Sequence, residues 1–203
     1  MNLKELVYRT RSYRRFDEFF HVDRHVLEQL VDLARMSASA ANRQPLKYML
    51  YNTPDRCQVI FPHLAWAGYL KDWDGPTPGE RPSAYIIILG DKSVTESFSV
   101  DHGIAAQSIM LGATEAGLGG CMIASIKKET LRNDLEIAGQ FEILLVLALG
   151  KPAEKVIVEP LQGDDVKYWR DESGVHHVPN RALDDDRKST RLNSSHRIRP
   201  RMP

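Results

Sequence analysis

Hydrophobic positions recur at helical spacing in two segments near the start of the chain. Asn2 and Glu5 have the spacing of a helix-capping box, which predicts a short amphipathic helix ending near the basic cluster at residues 9–15. A second helix is predicted after Asp23, because apolar residues then recur every three or four positions behind a residue type that caps helices. This helix runs into a loop that begins at Ser37.

Later in the chain, short apolar runs predict strands. Four strands are expected, at residues 47–51, 84–89, 121–126 and 141–149. The run at 84–89 is apolar on both faces, which is typical of a central strand covered by helices on each side. The last strand is expected to be closed by Gly150-Lys151-Pro152.

Helices and strands therefore alternate along most of the chain. A helix rich in Gly and Ala is predicted at 101–117 and a short one at 127–135, whereas residues 62–82 have no sustained period and predict an irregular or partly helical insertion. The pattern favours an α+β fold, in which an α/β-type mixed sheet is covered by helices.

Composition adds only broad limits. The chain has 203 residues, enough for one domain, with 42% hydrophobic and 27% charged residues, as in ordinary soluble proteins. The apolar runs are shorter than the roughly 20 residues of a membrane helix, and the start lacks a secretory signal, so we expect a cytoplasmic protein. Without such a signal, Cys57 and Cys121 are expected to be free thiols.

The last residues differ in character from the rest. Residues 186–203 resemble the translated read-through of a sequencing adapter, so we expect one domain over 1–185, a non-native tail after it and a lost native C-terminus. The tail carries six of the 27 Lys and Arg residues and one of the 27 acidic residues, leaving a net charge of −5 on the remainder. That balance disfavours the alternative that the arginines near the N-terminus bind nucleic acid.

Two segments combine residue types that suit a flat, phosphorylated ligand. At residues 9–16 arginines bracket Ser12, and a guanidinium fork with a hydroxyl suits phosphate, although such a run alone is more often a solvated basic face. Residues 37–45 have small side chains that let a flat ligand approach the backbone, with hydroxyls and amides at its edge. Alone, this second segment is equally typical of an ordinary turn.

Together, Arg-Ser-x-Arg-x-Phe at 11–16 and Ser-x-Ser-x-x-Asn-x-Gln-Pro at 37–45 resemble the nitroreductase family. The resemblance continues through Asp101-x-Gly103-x-x-x-Gln107 and Gly117-Leu118-Gly119, and it extends over nearly all of residues 1–185. It implies a nitroreductase-like α+β homodimer with two FMN molecules in the interface, each contacted by both chains. The small-residue helix from Asp101 would then lie at that interface.

The resemblance also implies which residues bind the cofactor. Contacts to the FMN phosphate and ribityl chain match Arg11, Ser12 and Arg14. The partner-chain loop beside the flavin ring matches Ala38, Ser39 and Asn42. The strand end that covers the ring and offers a backbone N–H to N5 matches Met122, Ile123, Ala124 and Ser125. Arg181 matches a C-terminal basic residue on the phosphate. Two positions depart from the family pattern: Thr10 replaces a frequent arginine and Leu46 a frequent tryptophan.

The activity implied by the resemblance is that of an FMN-dependent oxidoreductase. NAD(P)H would pass hydride to flavin N5 and leave before an electron-poor acceptor, such as a nitroaromatic or quinone, takes its place in a ping-pong cycle. No catalytic side chain is required, because the cofactor carries the chemistry. The alternatives are a family member with another reductive task (dehalogenation, ene reduction or flavin breakdown) and a flavin-binding protein without turnover. The expected partners are a second copy and a small-molecule acceptor, with no membrane and no nucleic acid.

Three further features predict no site. His176-His177 lacks the companion ligands of a zinc site and is expected in a solvent-exposed turn. The glycines at 117–120 follow a helix, so they predict a helix end and not a dinucleotide fingerprint. Tyr168 and Trp169 could line a pocket, but packing under a C-terminal loop is favoured.

Overall fold

The computed structural model describes residues 1–187, so that all but the first two residues of the expected tail at 186–203 lie outside the described residues. The described chain forms helices at α1 (Leu3–Arg9), α2 (Arg24–Arg35), α3 (Pro54–Ile60), α4 (Asp101–Glu115), α5 (Lys128–Asp134) and α6 (Leu183–Asp186). Its strands are β1 (Phe16–Asp17), β2 (Leu46–Tyr51), β3 (Ala84–Asp91), β4 (Gly119–Ile123), β5 (Phe141–Pro152), β6 (Val156–Pro160), β7 (Trp169–Arg170) and β8 (His176–Asn180).

The first two helices begin where the sequence predicts. The Asn2 side chain accepts the Glu5 backbone N–H at 3.0 Å, and the Glu5 carboxylate accepts the Asn2 N–H at 3.1 Å, which completes the capping box of α1. Asp23 caps α2 by accepting the His25 N–H at 2.7 Å. Both caps satisfy backbone donors that have no partner inside the helix.

The main sheet is antiparallel and has β5 at its centre. β3 pairs along one side of β5 and in turn pairs with β2, while β4 and β1 also pair with β5. All eight residues of β3 are buried, and alternate residues face opposite layers. Ile86 and Ile88 pack against α2 and α4, whereas Tyr85 and Ile87 pack against α3 and α5. The helix-covered sheet of an α+β fold is thus confirmed.

Several predicted boundaries are wrong. β5 does not stop at Gly150, because its last residues Lys151 and Pro152 pair with Asp17 and Phe16 of β1. β4 starts at Gly119 and ends at Ile123, earlier at both ends than the predicted strand at 121–126. The α3 helix was not predicted, although Pro54 at its first position is a helix-start signal.

A second sheet of three short strands follows the main one, and it was not predicted either. β6 and β8 pair in parallel, and β7 joins the other side of β8 in antiparallel pairing. The expectation of an exposed His176-His177 turn is wrong, because both residues lie in β8 and His176 is fully buried. Tyr168 packs between Tyr69 and His176, with ring centroids 5.0 and 5.1 Å away.

Both cysteines are buried and free, as expected. Among residues 1–187, no helix has the length and apolar content needed to cross a membrane.

Candidate functional site

The arginine segment after α1 is held against the end of α4 and the start of β4. The Thr10 hydroxyl lies 2.9 Å from the Thr114 hydroxyl in the last turn of α4. Ser12 forms a bridge with Gly120 of β4, and the Tyr13 N–H donates to the Gly120 carbonyl at 2.9 Å. These contacts fix the path of the segment relative to the sheet.

A buried carboxylate sets the turn at Arg14. Glu154, whose side chain is 1% exposed, accepts the backbone N–H groups of both Arg14 and Arg15 on one oxygen, the latter at 3.1 Å. Its other oxygen accepts a hydrogen bond from Arg170 Nη2 at 2.8 Å. Because the carboxylate is satisfied in this way, its charge is balanced by Arg170 and not by the side chain of Arg14.

The Arg14 side chain is fixed on one edge and open on the other. Its Nη1 donates to the Ser12 carbonyl at 3.3 Å and lies 3.1 Å from Nε2 of His176, while the guanidinium lies 4.7 Å from the centroid of the Tyr168 ring. Within residues 1–187, Nε and Nη2 of Arg14 make no hydrogen bond. Arg11 differs, because its Nη2 donates to the Val7 carbonyl at the end of α1, at 2.7 Å.

His176 is neutral at physiological pH. Burial, helped by the nearby Arg14 charge, lowers the pKa of its imidazole to about 4. A neutral ring with Nε2 facing a guanidinium accepts at that nitrogen, since arginine has no acceptor atom.

The second segment, the loop at residues 37–42, is tied to the opposite end of α4. Asp101 in the first turn of α4 is 3% exposed; it accepts the Ser39 hydroxyl at 2.6 Å and the Ala40 N–H at 3.0 Å. Ser39 Oγ also accepts the Gln44 N–H at 2.9 Å. The Ser39 hydroxyl is therefore engaged by Asp101 and by the Gln44 N–H, whereas Ala38 and Asn42 are exposed.

This loop has a strained backbone. Ala41 and Asn42, and Gln44 just after the loop, have φ values of 51°, 51° and 52°. This conformation costs roughly 1–2 kcal/mol at Ala41 and Gln44, whereas asparagine adopts it more readily. Tyr48 lies near Asp101. Burial, together with the negative charge of Asp101, raises the pKa of the Tyr48 hydroxyl to about 12. The bonds to Asp101 hold the loop in a conformation that the backbone alone would not adopt.

The third segment follows the exposed edge of β4. Met122 is 37% exposed, whereas Ile123 points into the core. Ala124 and Ser125 are exposed beyond the end of the strand, and the Ser125 carbonyl accepts the Ala65 N–H at 3.0 Å. Since Ser12 bridges Gly120 on the same strand, the arginine segment and the Met122–Ser125 segment form one continuous strip.

The loop at 37–42 is not part of that strip. Asp101 and Thr114, which hold the two segments, are thirteen residues apart on α4, or about 20 Å at 1.5 Å per residue. Arg181 is also apart from Arg14: it follows β8 at the end opposite His176, five residues or roughly 16 Å along the strand. One chain therefore brings Arg11, Ser12 and Arg14 together with residues 122–125, but not with the other predicted residues.

Several large apolar side chains on and near α1 and α4 are exposed. On α1, Leu3 and Tyr8 are 69% and 65% exposed, and on α4 Ile104 is 39% exposed. Val100 and Met36, near the N-terminal end of α4 and the C-terminal end of α2, are also exposed.

A comparison with protein families identifies the family of the chain. The model of the nitroreductase family matches residues 7–151, which include the arginine segment, the loop and β4. The chain belongs to the nitroreductase family.

Solved structures of the family share the fold. A nitroreductase family protein from Clostridium difficile 630 superposes with a TM-score of 0.65 at 19% identity, over 95% of this chain and all of the other. A protein from Exiguobacterium sibiricum 255-15, solved in complex with FMN, gives 0.64 at 16% identity over 75% of this chain and 89% of its own. A protein from Parabacteroides distasonis ATCC 8503, named as an NADH dehydrogenase/NAD(P)H nitroreductase, gives 0.62 at 20% identity over 80% and 92%. At these identities the likeness concerns the fold.

The family motifs did not identify the residues that support the arginine segment in this chain. Glu154, Tyr168 and His176 all contact the arginine segment, but they lie in the C-terminal part of the chain beyond residue 151. The signal available in the sequence was weak: if Val175-His176-His177-Val178 is extended, the two histidines face opposite sides, so that one of them can be buried.

Proposed function

We propose that the chain is an FMN-dependent oxidoreductase that acts as a homodimer and uses NAD(P)H to reduce electron-poor acceptors. The observation that carries this proposal is the separation along α4 of the two segments expected to bind one flavin. A flavin site that needs both segments is complete only when the loop of one chain meets the arginine segment of another.

The exposed apolar side chains of α1 and α4 are compatible with a homodimer formed through these helices. A two-fold axis there would place the C-terminal end of α4 in one chain near the N-terminal end of α4 in the other. The exposed side chains on α1 and α4 would then be buried, and each chain would contribute to two equivalent sites.

The residues on the strip suit the FMN phosphate and ribityl chain. Arg14 offers Nε and Nη2 as two adjacent donors in one plane, the geometry that guanidinium groups use to bind phosphate oxygens. Ser12 is exposed beside it and can add a hydroxyl. Arg11 adds positive charge. Arg181 follows the end of β8 that is distant from Arg14 in the same chain, so its side chain would have to reach the phosphate from there.

The loop and the end of β4 suit a flat ring system. Ala38 and Asn42 of a partner chain would flank the ring, with Ser39 holding the loop in shape through Asp101. On the other side, Met122 is exposed, and Ala124 and Ser125 have backbone groups at the surface. Ile123 is buried, so its contribution would come from its backbone.

When bound, FMN would supply hydride transfer from NAD(P)H to the acceptor, and the protein would supply binding, orientation and shielding from water. The arginine segment would fix the phosphate, and the backbone N–H groups after β4 would orient the ring. The relative solved with FMN and the relative named as an NAD(P)H nitroreductase support these two cofactors. Nitroaromatics and quinones are the proposed acceptors.

The test begins with the full chain, its visible absorption spectrum, a titration with FMN and the molar mass in solution. We expect about one FMN per chain in a dimer, with NADH or NADPH oxidised when a quinone or nitroaromatic is added. A folded dimer that binds no FMN would overturn the cofactor assignment. Bound FMN without NAD(P)H oxidation would instead favour a flavin-binding protein without turnover, and activity confined to other acceptors would favour a different reductive task.

A further inference from the structure

The small C-terminal sheet contacts the proposed phosphate site through one face of the Arg14 side chain. His176 of β8 lies with Nε2 3.1 Å from Arg14 Nη1, and the ring of Tyr168 lies under the guanidinium at 4.7 Å. We propose that His176 is a positioning residue, which aims Arg14 at the phosphate of the flavin. This inference rests on the proposed function.

The tautomer of His176 follows from its neighbour. Since Arg14 can only donate, Nε2 must accept and the ring proton must lie on Nδ1. Nδ1 is buried and has no hydrogen-bond partner among residues 1–187. An unpaired buried N–H is unfavourable for folding, and an apolar side chain of similar size would avoid it. His176 therefore does not contribute by stabilising the sheet. Its contribution is the contact with the Arg14 side chain.

That contact occupies only one edge of the guanidinium. Nη1 is held by His176 and the Ser12 carbonyl, and Tyr168 restricts the plane of the group. Nε and Nη2 remain available as a fork. A long arginine side chain loses conformational freedom when it binds a phosphate, so fixing it beforehand strengthens binding.

The positive charge of Arg14 also stays available for a phosphate, because no carboxylate pairs with its side chain among residues 1–187. The buried Glu154 lies close to Arg14, but its two oxygens are used by the backbone N–H groups of Arg14 and Arg15 and by the side chain of Arg170. Thus Glu154 shapes the backbone while His176, a neutral group, orients the side chain. A carboxylate in the place of His176 would orient Arg14 equally well but would compete with the anion.

The test measures FMN dissociation constants by quenching of flavin fluorescence, together with the melting temperature without flavin. We expect His176→Leu to weaken FMN binding about tenfold while the melting temperature stays equal or rises. His176→Gln keeps an acceptor near Nε2 and should bind FMN within about twofold of the unchanged chain. Tyr168→Leu, at a half-buried position, serves as a second variant and should weaken FMN binding in the same direction.

A double-mutant cycle separates positioning from a general structural effect. If His176 acts through Arg14, His176→Leu should have little further effect on FMN binding in an Arg14→Gln background. Riboflavin, which lacks the phosphate, should bind the His176→Leu variant and the unchanged chain alike. Additive losses in the cycle, or an equal loss for riboflavin and FMN, would overturn the inference.

These measurements distinguish a failure of the inference about His176 from a failure of the proposed function. An unchanged chain that binds no FMN contradicts the proposed function itself. An unchanged chain that binds FMN, with His176→Leu and Tyr168→Leu binding it equally well, contradicts only the role of His176.

Discussion

The Ser39 hydroxyl donates to the Asp101 carboxylate at 2.6 Å and so joins the loop at 37–42 to the first turn of α4. Asp101 lies in the first turn of α4, where the helix dipole favours negative charge. The loop, with its left-handed residues, therefore has a rigid support at its base.

Removal of this bond should destabilise the fold measurably. Ser39→Ala takes away a donor to a charged group and the acceptor of the Gln44 N–H, so we expect a loss of about 1.5–3 kcal/mol in the free energy of unfolding by urea. The control is Ser37→Ala, whose hydroxyl pairs with the neutral Ser108 hydroxyl at 2.7 Å and should lose only about 1 kcal/mol. Equal losses in the two variants would contradict the special role of Asp101.

Glu154 should be among the most sensitive positions of the chain. Glu154→Ala leaves the Arg170 charge with 11% side-chain exposure and two backbone N–H groups without their acceptor, so we expect a loss of roughly 3–5 kcal/mol. Glu28→Ala is the matched control, because the Arg24–Glu28 pair at 3.1 Å is exposed and contributes less than about 1 kcal/mol. Similar losses from both changes would show that burial does not decide the strength of these pairs.

His177 should make stability depend on pH. Its hydrogen bond to Glu159 at 2.5 Å, and a second one to Asp171 at 3.3 Å, raise the pKa of the imidazole above its usual value near 6.5. The stabilisation is therefore complete below that usual value and is lost as pH rises through the raised pKa of the folded state. Unfolding by urea between pH 5.5 and 9 should show a gap between the unchanged chain and His177→Gln that narrows toward high pH. A gap that is constant or widens would rule out this assignment.

Shared flavin sites predict complementation between two defective chains. Arg14→Ala removes the proposed phosphate fork, and Ala38→Trp places a bulky side chain on the loop offered to the partner. Each homodimer should bind FMN poorly, because every site carries one defect. A heterodimer, purified through two different affinity tags, should contain one site with both defects and one intact site, hence one FMN per dimer. Heterodimers as poor in FMN as the parents would refute the sharing of sites between chains.

The sequence predicted the parts of the fold that depend on local signals. The apolar run from Ala84 predicted a buried strand, and all eight residues of β3 are buried. Asn2 and Asp23 predicted helix starts, because their own side chains cap the helices. The end of β5 at Pro152 was missed because it depends on pairing with Phe16, which is distant in sequence. The small sheet was missed for the same reason, since its strands have only two to five residues and are stable only together.

The site was predictable as a set of motifs but not as an arrangement. The resemblance singled out Arg14 and Ser39, and the assignment of these residues to the flavin stays a prediction. The arginine segment and the loop at 37–42 contact opposite ends of α4, through Thr10 and Ser39. Their spacing along the chain did not predict this arrangement. Likewise, the burial of His176 depends on how β8 packs against the arginine segment, and nothing local in the sequence distinguishes it from His177.

The length of α4 has a consequence for how the proposed dimer would take up its cofactor. In the proposed dimer, α4 would carry one half of one flavin site at Asp101 and one half of the other at Thr114, so that a lone chain would hold two incomplete sites. Flavin capture and subunit association would then be thermodynamically linked, each strengthening the other. Dilution alone should release FMN, and excess FMN should hold the two chains together at concentrations where they would otherwise separate.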